Sequence, residues 1–158
     1  MNVNLKFRLN GEPVETTVET NLTLLDMLRD RILVTSSKRS CEAGECGACT
    51  VLLDGKAVNA CLVLAASVDG CRVETIESLG VVNLHPLQRH FMELAASQCG
   101  YCTPGMILAA KALLDANPNP TEEEVKDGLS GNMCRCTGYV KPIQAVLAAA
   151  RELQQRSL

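Results

Sequence analysis

The sequence predicts an α+β chain built from two small units in series, residues 1–80 and 81–158. Three observations predict it. Polar and apolar residues alternate at the strand period up to about residue 76; apolar residues recur at the helical period from residue 84 onwards; and nine cysteines fall into two groups of four with one left over.

Val3, Leu5, Phe7 and Leu9 alternate with polar residues, and Asn10-Gly11 then marks a tight hairpin turn. Val14, Thr16 and Val18 suit the returning strand. Leu24, Leu25 and Leu28 form the apolar side of a short helix over residues 23–30. Residues 33–50 read as a loop rich in Ser, Gly and Cys. Thr50 to Leu53, the Asp54-Gly55 turn and Ala57-Val58 make a second hairpin, and residues 71–76 a final strand.

The second half reads as four helices. Leu84, Leu87, Phe91, Leu94 and Ala95 share one face, with Pro86 tolerated in the first turn. Thr103 as cap and Pro104 as first residue open the second, which carries Met106, Ala109, Ala110, Leu113 and Leu114. Asn117-Pro118-Asn119-Pro120 ends it. Thr121 and Glu124 form a capping box for a short third helix. The last spans residues 142–156, with Ile143, Val146, Leu147 and Ala150 inward.

Composition bounds the function. Apolar residues make up 47%, charged residues 21% and aromatics 3%, with no Trp and a net charge of −3. That is a globular chain with no basic face for nucleic acid and few rings for stacking on bases. No stretch is long and apolar enough for a membrane span. The N-terminal residues carry no secretory pattern, so the expected setting is the cytoplasm, where thiols stay reduced unless a metal holds them. No catalytic acid, base or nucleophile constellation stands out.

The cysteine spacing is more telling than the count. Cys41, Cys46, Cys49 and Cys61 give C-x4-C-x2-C-x11-C; Cys99, Cys102, Cys134 and Cys136 give C-x2-C-x31-C-x-C; Cys71 is spare and reads as a buried strand thiol. The first set has the spacing of plant-type [2Fe–2S] ferredoxins. Its glycines, Gly44 and Gly47, suit a loop that must turn backbone N–H groups towards sulfur. The second set is expected just before two helices, whose N-termini stabilise thiolate charge. Units of about 80 residues have marginal cores, so a metal centre in each also acts as a staple. Two other readings stay open at this point. One is a zinc-stapled binding module, and the other a thiol–disulfide oxidoreductase using Cys99 and Cys102.

His85 and His90 are five apart and read as surface or packing residues, not a metal pair. Glu122, Glu123 and Glu124 read as helix N-terminal charge. Arg135 could offset cluster charge or join an interface ion pair.

Three motifs together carry a resemblance: Cys-x4-Cys-Gly-Ala-Cys-Thr-Val at 41–51, Gln-Cys-Gly-Tyr-Cys-Thr-Pro-Gly-Met at 98–106, and Gly-Asn-Met-Cys-Arg-Cys-Thr-Gly-Tyr at 131–139. In these the chain resembles the small iron–sulfur subunit of molybdenum hydroxylases, the xanthine dehydrogenase and aldehyde oxidoreductase family. This also includes carbon monoxide dehydrogenase and 4-hydroxybenzoyl-CoA reductase. The resemblance implies a plant-ferredoxin-like β-grasp domain followed by a four-helix bundle domain, with one [2Fe–2S] cluster in each. It implies an electron-transfer role between molybdopterin in a large partner subunit and FAD in a medium one, in a heterotrimer or a dimer of heterotrimers. The four C-terminal cysteines would hold the cluster nearer molybdenum. Gln98 and Cys136 match positions that approach the pterin, so the face at 98–105 and 132–139 should be partly apolar and covered by a partner. Ser40 stands where the family usually has Gly, and Met133 where Leu is commoner.

Overall fold

The computed structural model describes residues 1–156; the last two residues of the expected second unit, 157 and 158, lie outside the described residues. The chain is α+β, with a five-stranded mixed sheet of order β2-β1-β5-β3-β4 and four main helices after it. β1 (Asn2–Leu9) and β2 (Glu12–Glu19) form the first hairpin, with Val3 opposite Val18 and Phe7 opposite Val14. Asn10 and Gly11 both take positive φ, 53° and 89°, as the tight turn requires. β3 (Thr50–Leu53) and β4 (Lys56–Asn59) make the second hairpin around Asp54-Gly55. β5 (Arg72–Glu74) joins the two hairpins, parallel to β1 and antiparallel to β3.

Over the inner face of the sheet lies a short helix, α1 (Leu24–Asp26), which continues as a π turn over Met27–Arg31. Thr23 caps it by accepting from the Asp26 amide at 3.1 Å. Leu24, Leu25, Met27 and Leu28 are buried with Leu5, Phe7, Leu9, Val51 and Val73 to form the first core. Arg39, just before the first cysteine loop, is anchored here. Its guanidinium reaches Asp26 at 2.6 Å and Asp30 at 2.7 Å.

The Thr23 hydroxyl first, then the Arg39 guanidinium, hold the Asp26 carboxyl below its ordinary 3.8 against the effect of partial burial. A depressed carboxylate pKa adds stability that is complete above the unfolded value and lost as pH falls through the folded one. Asp26→Asn is therefore expected to flatten part of the loss of stability below about pH 4. Urea unfolding of both proteins across pH 2–7 measures this, and parallel curves would refute it.

Four helices follow: α2 (Pro86–Glu93), α3 (Thr103–Ala116), α4 (Glu122–Leu129) and α5 (Val140–Arg156). His85 caps α2, its Nδ1 accepting from the Leu87 amide at 3.2 Å, while His90 Nε2 lies 2.9 Å from Glu152 on α5. Both histidines thus have packing roles. Glu124 closes the capping box with Thr121, and Glu122 and Glu123 pair with Lys126.

Two expectations are corrected at helix starts. α3 begins one residue earlier than the Thr103 cap implied, because the Cys102 carbonyl already accepts from the Met106 amide at 3.0 Å. Thr103 instead shares a hydrogen bond with Ser97 at 2.9 Å. α5 begins at Val140, two residues before the expected start at Pro142, and Cys134 and Cys136 lie in the turn that precedes it. Cys71 is also corrected: it stands just before β5, half-buried, its thiol 3.7 Å from the Asp69 carbonyl.

The helical core centres on Leu87, Phe91, Met106, Leu108, Val146 and Ala149, and it takes in Leu52 of β3 and Leu79. The two halves therefore share apolar contacts. Among the described residues no helix is long and apolar enough to cross a membrane.

Candidate metal centres

All nine cysteines are free thiols. In the first loop the backbone turns back on itself through positive φ at Glu42, Gly44 and Gly47. As a result the Ala43 and Cys46 amides both point at Cys41 Sγ, each at 3.4 Å. Those donors lower the Cys41 thiol from 9.0 to about 6. Cys49 and Cys61, from either side of the β3–β4 hairpin, are buried and interact with each other. Burial, with Cys61 and Cys46 beside it, pushes Cys49 up to about 11. Leu62 closes the loop from outside, and a Cβ on Gly44 would lie 2.3 Å from its Cδ1.

The second loop is made of two segments, the α2–α3 and α4–α5 connections, across which Cys99 faces Cys136, Sγ to Sγ 3.6 Å, and Cys102 faces Cys134. Burial, then Cys134, pushes Cys102 up to about 12. Burial also works upward on Cys134, but the Thr137 hydroxyl, 3.2 Å from its sulfur, brings it below its ordinary value. The Cys134 amide donates to the Tyr139 hydroxyl at 2.8 Å, which fixes the turn. Gln98 is exposed, and its Nε2 donates to the Cys136 carbonyl at 3.1 Å, so the two residues matched to the pterin-facing positions are joined directly. Arg135 is exposed beside them.

The thiols thus come together in pairs: 41 with 46, 49 with 61, 99 with 136, 102 with 134. Among the described residues no group of three or more His, Cys, Asp or Glu side chains is drawn up around one ion. Two pairs per loop is the donor set a binuclear iron centre takes, two thiolates to each metal. The amides on Cys41 Sγ are the donors such an anionic centre needs. A cavity of about 280 Å³ lies between the loops, lined by Cys46, Cys99, Cys102, Cys134 and Cys136. The residues present fit two [2Fe–2S] groups. A thioredoxin-type dithiol fits less well, since Cys99 pairs with Cys136 and not with Cys102.

Several residues that matter here carry no cysteine signal. Met133 N–H donates to the Cys46 carbonyl at 2.9 Å, and Tyr101 O–H to the Arg39 carbonyl, so the two cysteine regions are tied together by hydrogen bonds. Asn132, only 4% exposed, donates to Gly47 O at 3.0 Å and to Thr50 Oγ1 at 3.2 Å. Gly105 on α3 lets this junction close, because a Cβ there would lie 2.4 Å from Gly47 O. Around the second loop Tyr101, Met133 and Val140 remain 46%, 61% and 60% exposed, a partly apolar face as expected.

Comparison with known proteins places the chain among proteins with [2Fe-2S] binding domains. The 2Fe-2S iron-sulfur cluster binding domain family matches residues 7–74, and the [2Fe-2S] binding domain family matches residues 75–147. The chain is 50% identical over 147 residues to the nicotinate dehydrogenase small FeS subunit of Eubacterium barkeri, covering 91% of this chain and 92% of that one. Its fold matches a chain of quinoline 2-oxidoreductase from Pseudomonas putida 86 with a TM-score of 0.93 at 39% identity, over 99% of each. It also matches the aldehyde oxidoreductase of Desulfovibrio gigas with a TM-score of 0.94 at 41% identity, over 98% of this chain and 17% of that longer one.

Proposed function

Since the chain belongs to the family of two-cluster iron–sulfur small subunits of molybdenum hydroxylases, we propose that it is the conductor between a large molybdopterin-binding subunit and a medium FAD-binding subunit. It is an electron-transfer component of a multi-subunit oxidoreductase and carries two [2Fe–2S]-binding domains. In this reading residues 1–80 form a plant-ferredoxin-like β-grasp domain and residues 81–158 a four-helix bundle domain. Cys41, Cys46, Cys49 and Cys61 hold one cluster, and Cys99, Cys102, Cys134 and Cys136 the other. Each bound cluster supplies a site for one electron at a time.

The chain's own residues do the rest. Ala43 and Cys46 amides stabilise charge on the Cys41 sulfur, and the Thr137 hydroxyl does so at Cys134. Cys49 is buried and Cys102 half-buried among apolar side chains. Gln98 and Cys136 present the exposed edge of the second loop to the molybdopterin subunit, with Tyr101 and Met133 as the apolar rim. The observation that carries this reading is the pairing of eight thiols into two loops, joined by direct hydrogen bonds between Cys46 and Met133 and between Arg39 and Tyr101. The complex would be a heterotrimer or a dimer of heterotrimers in the cytoplasm, where the spare thiol Cys71 stays reduced.

The test is the metal and flavin content of the complex that copurifies with the tagged chain from its own host. Molybdenum and FAD in equal amounts, with about four irons for each, are expected. Iron with neither molybdenum nor FAD would refute the proposed partners.

A further inference from the structure

We propose that Asn132, although it stands two residues before Cys134 in the second loop, is a positioning residue for the first metal centre. The inference rests on the reading that Cys41, Cys46, Cys49 and Cys61 hold that centre.

Three donors converge on one oxygen, the carbonyl of Gly47, which lies between Cys46 and Cys49. The Thr50 amide is at 3.1 Å, the Thr50 hydroxyl at 2.7 Å, and Asn132 Nδ2 at 3.0 Å. A carbonyl has two lone pairs, so this one is fully engaged. Each donor draws electron density towards the oxygen and leaves the amide of the same peptide, Ala48 N–H, more positive. That peptide runs between two cysteines of the first set and is buried. Two of the three donors come from Thr50, next to Cys49. The third is supplied across the junction by a side chain 85 positions away in the sequence.

The arrangement is built, not incidental. Asn132 is nearly inaccessible, and the same amide also donates to Thr50 Oγ1 at 3.2 Å, which orients that hydroxyl towards Gly47. No side chain larger than hydrogen fits at Gly47, where a Cβ would lie 2.3 Å from Gly131 O and 2.6 Å from Asn132 Nδ2. The next residue, Met133, donates its amide to Cys46 O at 2.9 Å. The second loop thus sends donors to two successive carbonyls of the first. A four-thiolate binuclear centre is about −2 when oxidised and gains one more negative charge on reduction. Peptides polarised with their positive ends in such a loop favour the reduced form. Removing the Asn132 donor should therefore make the first centre harder to reduce, while the second, whose sulfurs Asn132 does not contact, keeps its potential.

The experiment is potentiometric titration followed by EPR on the purified complex, for wild type, Asn132→Ala, Thr50→Val and Thr50→Ser. The first-centre signal is identified as the one missing from Cys41→Ala. Loss of that signal in Cys41→Ala, with the other kept, checks the ligand reading independently. Asn132→Ala and Thr50→Val should each shift the one-electron reduction equilibrium of the first centre towards the oxidised form by up to about tenfold, or about 59 mV. Thr50→Ser, which keeps both hydrogen bonds, should titrate as wild type. If Asn132→Ala fails to load fully, loss of the first signal with the second retained supports the same role. An unmoved first potential in loaded Asn132→Ala and Thr50→Val overturns the proposal. So does loss of the second signal alone, loss of both together, or a shift confined to the second centre.

Discussion

Gly47→Ala is expected to destabilise the chain by about 2–5 kcal/mol, as two penalties fall on one methyl group. Gly47 has a φ of +66°, where an L side chain is strained, and its Cβ would lie 2.3 Å from Gly131 O, a backbone atom that cannot swing aside. Two controls separate the penalties. Gly11 has a φ of +89° with nothing within 4 Å of a Cβ, so Gly11→Ala carries strain alone, about 1–2 kcal/mol. Gly105 needs no positive φ, but its Cβ would lie 2.4 Å from Gly47 O, so Gly105→Ala carries the clash alone, about 1–3 kcal/mol. Urea unfolding of the three variants ranks them. A Gly47→Ala protein no weaker than Gly11→Ala would mean that the two loops are not locked as the structure shows.

The second large effect concerns metal content. Alanine at any one of Cys41, Cys46, Cys49 or Cys61 should lower iron from about four to about two per chain and remove one EPR signal. Alanine at any one of Cys99, Cys102, Cys134 or Cys136 should remove the other. Cys71→Ala should remove neither, since that thiol's hydrogen-bond contacts are with the Ser67 and Asp69 carbonyls. Iron analysis with EPR of the reduced variants decides this. A Cys71 variant lacking a signal, or two members of one set removing different signals, would break the partition into 41, 46, 49, 61 and 99, 102, 134, 136.

These expectations divide along a physical line. What was legible in the sequence is what local chemistry dictates. Asn10-Gly11 and Asp54-Gly55 take the positive φ values that their hairpins need, and Thr121 with Glu124 closes the box that starts α4. The grouping of eight cysteines was legible too, in that the thiols meet in pairs within each set. What was hidden depends on pairing across the chain. No local signal says that β1 lies parallel to β5, that Leu52 and Leu79 belong to the helical core, or that Cys99 faces Cys136. Nor does a local signal mark the π turn at Met27–Arg31 or the start of α3 at Thr103. Asn132 was missed as a functional residue for the same reason. Its motif was visible, but its partners Gly47 and Thr50 are supplied by the other half of the chain.

The central claim is that this chain holds two binuclear iron–sulfur centres. It is tested most directly by iron and acid-labile sulfide analysis with EPR of the dithionite-reduced protein. About four iron and four sulfide per chain, with two distinct S = 1/2 signals, is the predicted result. Zinc without iron, and no signal, would contradict it and leave a structural module with no part in electron transfer.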